Sequence, residues 1–256
     1  MPWALMPSRP IPNSCVSSDY SYSGTELDQA ALAVNWKTYF RSRLAPYVTG
    51  RVLEVGAGLG GTTIRLRDGR QKSWVCLEPD TTLVARLHET LNDNPSSVPT
   101  TVVTGDLAAL PADERFDSIL YIDVLEHIED DCGELRRAAA RLAPGGTLVV
   151  LCPAFQILFS EMDKALGHFR RYTKRTLAAV FPQNMERREL FYLDSLGMLA
   201  SLANKAFLKQ GAPNEQQVKF WDGWIIPVSR VLDPMLLHSI GRSVIAIYRK
   251  PATAHD

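Results

Sequence analysis

The sequence predicts an α/β fold, a parallel sheet covered by helices on both faces. Three observations carry that expectation. Five short apolar segments, 51–55, 74–77, 100–104, 116–122 and 147–151, each precede a turn and a helix-length stretch. That alternation builds parallel sheets through right-handed crossovers and places the C-terminal strand ends on one edge, where such sheets bind ligands. The first segment runs directly into the glycine-rich turn Gly56-Ala-Gly-Leu-Gly-Gly61. Finally, 256 residues with 46% hydrophobic and 22% charged side chains suit one large globular domain, and exclude a disordered polymer, a collagen-like repeat or a coiled-coil rod.

In chain order, residues 1–24 are rich in Pro, Ser and Tyr and read as a flexible N-terminal arm. The pattern Ser23-x-x-Glu26 is a capping box ahead of a helical stripe, Leu32, Trp36, Phe40 and Leu44, closed by Pro46 and Gly50. The first strand follows, then a helix from about Thr62. The second strand ends in Glu78-Pro79-Asp80 and leads to a helix across Leu83, Leu87 and Leu91. The third ends in Gly105-Asp106 and the fourth in Asp123. Leu135, Ala138 and Leu142 fall at helical spacing, Pro144-Gly145-Gly146 punctuates, and the fifth strand stops at Pro153. Residues 154–181 read as a loop and a helix opening at Thr173. Residues 189–193 and 243–248 read as strands, separated by a helical, aromatic-rich stretch with Phe207, Phe220, Trp221, Trp224 and Ile225. No linker announces a second domain, so 25–256 is taken as one unit.

Lysine plus arginine (28) equals aspartate plus glutamate (28). A dedicated nucleic-acid binder carries a basic surplus, so no nucleic acid is expected as partner. The N-terminal residues lack a basic region followed by an apolar stretch, and no run is long enough to span a membrane. Cys15, Cys76, Cys132 and Cys152 are far apart and form no metal-binding pair, which suits reduced thiols and a cytoplasmic location.

Glycines at 56, 58 and 60 suit a tight turn that lets a ligand approach the backbone, with N–H groups facing an anionic group. Glu78 ends the second strand, where an acid accepts hydrogen bonds from ribose hydroxyls. Asp106 ends the third, placed to accept from an adenine amino group or simply to form a turn. The glycine turn alone also fits a dinucleotide site.

The series Leu53-Glu-Val-Gly-Ala-Gly-Leu-Gly60, Leu77-Glu-Pro-Asp80, Thr104-Gly-Asp-Leu107, Phe116-Asp-Ser-Ile-Leu-Tyr-Ile-Asp-Val-Leu-Glu-His-Ile128 and Leu142-Ala-Pro-Gly-Gly146 resembles the class I S-adenosylmethionine-dependent methyltransferases over about residues 45–155. The resemblance implies a Rossmann-like, seven-stranded, mostly parallel sheet with an antiparallel last strand. It also implies S-adenosylmethionine as cofactor and a methyl acceptor in biosynthetic metabolism. Residues matching Glu54, Gly56, Ala57, Gly58 and Gly60 surround the methionine portion in that family. Those matching Glu78, Pro79, Asp106 and Leu107 hold ribose and adenine, and those matching Tyr121 and Ile122 line the passage to the methyl group. The whole series, and the lack of a Tyr-x-x-x-Lys pair after the fourth strand, weigh against an NAD-binding oxidoreductase.

Methyl transfer from a sulfonium needs a positioned acceptor and exclusion of water, with a base only where the acceptor stays protonated. Two places supply candidates. Asp123-Val-Leu-Glu126-His127 follows the fourth strand, with Asp123 as an acceptor contact and His127 as base, as orienting group, or as a histidine bonded to backbone. Its spacing, with His168, resembles the divalent-metal site of some catechol and RNA methyltransferases. Glu-His is common in metal-free relatives, so no metal is expected. The second place, Gly167-His168-Phe-Arg170-Arg171-Tyr172, resembles a string that borders the acceptor pocket in a subset of bacterial small-molecule methyltransferases. His168 is the candidate base there, and Arg170, Arg171 and Tyr172 bind the acceptor or else pin the loop to Asp163. Tyr22 of the arm would fold over the cofactor. Residues 154–181 and 195–242 are expected on the acceptor side, the latter as lid, core or dimer contact. A small-molecule acceptor methylated on oxygen fits best, with nitrogen, carbon or a protein or RNA acceptor as alternatives.

Overall fold

A computed structural model describes residues 32–205 and 214–252. The expected arm, its Tyr22, the capping-box residues Ser23 and Glu26, Cys15 and Phe207 lie outside the described residues. Helix α1 (Val34–Leu44) leads to β1 (Gly50–Val55), the single turn α2 (Thr63–Leu66), β2 (Gln71–Glu78), α3 (Thr81–Asp93) and β3 (Thr100–Thr104). Then come β4 (Phe116–Ile122), α4 (Asp131–Ala140), β5 (Leu142–Pro153), α5 (Glu161–Ala165), α6 (Lys174–Val180) and β6 (Glu186–Leu193). Helices α7 (Ser195–Ala203), α8 (Glu215–Phe220) and α9 (Ile226–Met235) precede the closing strand β7 (Ser243–Arg249).

The seven strands lie in the order β3-β2-β1-β4-β5-β7-β6. Strands β1 to β5 pair in parallel, and β7 runs antiparallel to both β5 and β6. An all-parallel dinucleotide sheet has no such inserted strand. In β5, Leu148 to Cys152 are all fully buried, the mark of a central strand covered on both faces. On one face Leu53, Ile119 and Val150 pack with Leu135 of α4 and Leu177 of α6. On the other, Val52, Leu120 and Val149 pack with Trp36 and Phe40 of α1 and Leu87 of α3.

Four boundaries differ from the sequence reading. The helix expected from Thr62 is one turn long, because Gly69 at φ +92° turns the chain so that β2 starts at Gln71. Leu142 opens β5 opposite Phe116 instead of ending a helix, and the pairing then jumps to Ser118 opposite Thr147. Its side chain still enters the core that α4 faces, which is why it kept helical spacing. β6 begins three residues early, at Glu186; as an edge strand it carries charges that hide its period. Leu32 precedes α1 rather than lying on it.

The described part of 195–242 is tied to α1 by the buried Asp222 and Asp233, and to itself by the buried Asp194. Asp222 accepts from the N–H groups of Asn35 (2.9 Å) and Trp36 (2.8 Å), capping a helix that has no cap of its own at Ala33. Asp233 accepts from the Tyr39 hydroxyl and from the N–H groups of Asp194 and Ser195. Asp194, at φ +66°, accepts from Gly197 N–H, the Ser229 hydroxyl and the Trp221 indole. Of the aromatic stretch, Trp221 packs on Trp36 at 6.0 Å, while Phe220, Trp224, Met235 and Leu237 are exposed. The stretch is therefore both core and outer surface. Among the described residues no helix is long and apolar enough to cross a membrane, and Cys76, Cys132 and Cys152 are free thiols.

Removing a helix cap costs about 1–2 kcal/mol. Asp222→Ala should lower stability by that amount in urea melts, and Asp222→Asn by less. An unchanged midpoint would show that α1 does not depend on this carboxylate.

Candidate active site

The C-terminal ends of β1, β2, β3 and β4 meet on one edge. The glycine turn there divides its labour. Gly56 has φ +68°, and a Cβ on it would lie 2.6 Å from Val124; Gly60 has φ +78°, with Leu87 equally close. Both are needed for packing. Gly58, at φ +53°, has no atom of the described residues within 4 Å of where a Cβ would lie. The N–H groups of Gly56 and Ala57 both donate to the Leu77 carbonyl, Gly60 N–H donates to Ala57, and Gly58 N–H donates to Glu78 Oε2 at 2.8 Å. These four donors are spent inside the protein rather than offered to an anion, a correction to the sequence reading.

Glu54 is buried beneath the turn, where Oε2 accepts from Thr63 (2.6 Å) and the Trp74 indole (2.9 Å). Burial pushes its pKa up to about 7 against those two bonds. Glu78 is also buried, and burial raises its pKa; Oε1 accepts from Asp80 N–H. Each of its oxygens keeps a lone pair for a ligand hydroxyl. Pro79 and Asp106 are exposed, and Asp106 accepts from Ala108 N–H at 2.8 Å. Two expected contacts do not fit the side-chain positions. Leu107 is buried in the core, and the Tyr121 ring is buried with its hydroxyl on Glu134 at 2.6 Å, directed to α4 instead of a passage. Ile122 is half-buried at the strand end.

Beyond β4, Asp123 has φ +55° and an accessible side chain, yet close protein surroundings push its pKa up to about 6. His168, Arg242, Lys37 and Arg171 act on it electrostatically in the opposite sense. His127 and His168 pack edge-to-face with ring centres 4.5 Å apart. Burial, and then His168, hold the His127 pKa down to about 4. His168 Nδ1 lies 2.9 Å from Asp163 Oδ1. An ionised carboxylate only accepts, so Nδ1 carries a proton, and in the neutral ring Nε2 is then the nitrogen with the lone pair. Burial alone would raise the Asp163 pKa, but hydrogen bonds from His168 and Arg171 hold it far below the usual range. Glu126 is fully buried, which pushes its pKa well above the ordinary carboxyl range, as Asp123 does in turn; its own backbone N–H and the Cys152 thiol act in the opposite sense. Ligand atoms of Glu126, His127 and His168 lie within 4.8 Å of one another, close enough to share a metal ion.

The residues expected to bind an acceptor are occupied otherwise. Arg171 makes two bonds to Asp163 at 2.7 and 2.9 Å. Arg170 donates to Asp131 (2.7 Å) and the Glu129 carbonyl, and the Tyr172 hydroxyl donates to Asp131 (2.8 Å). These side chains pin the loop, as the second reading of the string had it. Sequence reasoning missed Asp131, Lys37 and Arg242, which belong to no motif and come together only through the fold. Arg242 lies over the Trp221 ring at 5.0 Å.

A family model described as "Methyltransferase domain" matches residues 29–197. A ubiquinone biosynthesis O-methyltransferase of Xanthomonas campestris pv. campestris (strain B100) is 32% identical over 216 residues, covering 72% of this chain and 87% of that protein. Among solved structures, the N-methyltransferase NodS from Bradyrhizobium japonicum WM9, in complex with S-adenosyl-L-homocysteine, is similar with TM-score 0.53 at 16% identity, covering 84% of each chain. The [4+2]-cyclase SpnF is similar with TM-score 0.58 at 18% identity, covering 84% of this chain and 81% of that one.

Because Glu54 stays neutral to about pH 7 when folded but ionises near 4.5 when unfolded, its stabilising contribution is complete below pH 4.5 and lost as pH rises through 7. Comparing wild type with Glu54→Gln by denaturant melts from pH 4 to 8 should show wild type losing up to about 3 kcal/mol relative to the variant. A constant difference would mean that folding leaves the pKa of this carboxyl unchanged.

Proposed function

The chain belongs to the methyltransferase-domain family, and from there we propose that it methylates an oxygen of a small-molecule acceptor. The methyl donor is S-adenosylmethionine. One juxtaposition carries the reading: the turn that opens at Gly58 abuts Val124 through Gly56, beside the His127–His168 pair and Asp123. Donor and acceptor positions thus share one stretch of sheet edge. The methionine portion would lie along Gly56–Gly60, the ribose hydroxyls on Glu78 and the adenine amino group on Asp106. The relative at 32% identity bears an O-methyltransferase name, which supports an oxygen acceptor, and the neutral charge of this chain weighs against RNA.

In this reading the displacement is in line, with the acceptor oxygen held roughly 3–3.5 Å from the methyl carbon. A hydroxyl acceptor must shed its proton as the bond forms. Nε2 of His168 takes it, and Asp163 stabilises the resulting imidazolium through Nδ1. His127, with its pKa near 4, stays neutral at physiological pH and is a poor base. Arg171 fixes Asp163 and so orients His168 at one remove.

One observation favours a second reading, the buried Glu126 carboxyl group within reach of two histidines. A divalent ion there would be held by Glu126, His127 and His168 and would polarise the acceptor oxygen. Elemental analysis of purified protein decides it: a bound metal lost in Glu126→Gln supports the ion. No metal, no calorimetric heat with divalent salts and full activity in chelator leave the base mechanism.

For the base mechanism, His168→Ala should lower kcat by about 100-fold or more while the dissociation constant for S-adenosyl-L-homocysteine stays nearly constant. Unchanged turnover would remove His168 from the reaction.

A further inference from the structure

Arg242 stands just before β7, where the C-terminal end of β5 meets the loop that carries His168. Pro153 of β5 pairs with Ser243, so Arg242 lies one residue beyond the paired register, and its carbonyl accepts from Ala154 N–H at 2.8 Å. Its own N–H donates to the Asp194 carbonyl at 2.9 Å. Ala154 is bridged in turn to Tyr172, the last residue of the Gly167–Tyr172 string. On the other flank of β5, Asp123 N–H donates to the Leu151 carbonyl. Asp123, Arg242 and the His168 loop thus surround the end of one strand. That strand lies two places along the sheet from β1 and its glycine turn.

The Arg242 guanidinium lies over the Trp221 ring at 5.0 Å, and among the described residues it makes no hydrogen bond and no ion pair. Arg170 and Arg171, by contrast, are each paired with a carboxylate. The acids that act on Arg242 electrostatically are Asp194, Asp123 and Asp163, with Arg171 the opposing cation. Asp194 is occupied by Gly197, Ser229 and Trp221, and Asp163 by His168, Arg171 and Ser160. Asp123 makes no ion pair. Arg242 is only half-buried, yet close protein surroundings press its pKa down, as they press that of the accessible Asp123 up. Both side chains therefore border a confined space that solvent still enters. A guanidinium over an indole keeps its fork of N–H donors for a planar oxyanion, and such an oxyanion would offset the cost of desolvating it.

We propose that Arg242 receives a carboxylate of the methyl acceptor, which makes the substrate an anionic hydroxylated molecule instead of a neutral one. The assignment rests on the reading of this edge as the acceptor side. The oxygen to be methylated meets His168 while the carboxylate meets Arg242, across the end of β5. Asp123, on the β4 flank, is a like charge that repels the carboxylate. The two charges together set the direction in which the molecule enters, with its anionic end toward β7.

The test is calorimetry on the full chain saturated with S-adenosyl-L-homocysteine, comparing benzoate with benzamide, which share a shape and differ in charge. Wild type should bind benzoate about tenfold or more tighter, as expected for hydrogen bonds between charged groups. Arg242→Met should bring the two ligands within about twofold of each other on the same scale. Arg242→Lys keeps the charge but loses the fork, so its preference should fall between the two; it carries the test alone if the methionine variant does not fold. Affinity for S-adenosyl-L-homocysteine should stay constant in both variants. Three outcomes overturn the assignment: wild type binds the two ligands equally, binds neither, or the variants keep the full preference for benzoate. A lower urea midpoint in Arg242→Met with that preference intact would make Arg242 a counter-charge for Asp194. If wild type does not bind S-adenosyl-L-homocysteine, the methyl-transfer reading itself fails, a result distinct from the others.

Discussion

The active edge is organised by one crossing, where the end of β1 is tied to the end of β2. The Leu77 carbonyl accepts two successive N–H groups, from Gly56 and Ala57, and the Glu78 carboxylate then takes Gly58. Three consecutive residues of the turn are thus committed to the neighbouring strand, which forces positive φ at Gly56 and Gly58. Everything around it follows: Gly56 lies against Val124, Gly60 against Leu87, and Gly61 under Lys37. What remains is the side of Gly58 that no described residue fills. Glu78 is already positioned by two backbone donors, so in the proposed cofactor site it would need no reorganisation, which is how preorganised sites avoid an ordering cost.

Most of the sheet was legible because its strands are buried on both faces and read as apolar runs bounded by Gly, Pro and Asp. The edge strand β6 was half hidden, since Glu186, Arg187 and Arg188 carry no burial signal. The glycine turn and the place of Glu78 at its strand end were legible because turn geometry and strand ends are local properties. Side-chain direction was less so. Tyr121 and Leu107 occupy motif positions, yet their side chains serve the core, and only the backbone at those positions remains near the edge.

Charge was the least legible feature. Arg170, Arg171 and Tyr172 have the composition of an acceptor site, but Asp131 and Asp163 use them. A sequence shows that a cation needs a partner without showing whether that partner is a ligand or a carboxylate 40 residues away. The same ambiguity applies to Asp222 and Asp233, which interrupt an apolar stretch because they receive backbone donors inside the protein. The loop after β5 gains rigidity from this pairing, and Phe169 N–H on the Glu126 carbonyl ties it to the turn after β4.

The cap on α1 also bears on how the chain is made. Its carboxylate comes from Asp222, 187 positions beyond Asn35, and Tyr39 is bonded across 194 positions to Asp233. Such separations slow folding, since loop closure precedes the reward. On a ribosome, which delivers the N-terminal side first, α1 waits uncapped until Asp222 has emerged. Helix α1 is then among the last segments to settle, together with β7, which follows Asp222 in the chain and joins β6 to the rest of the sheet.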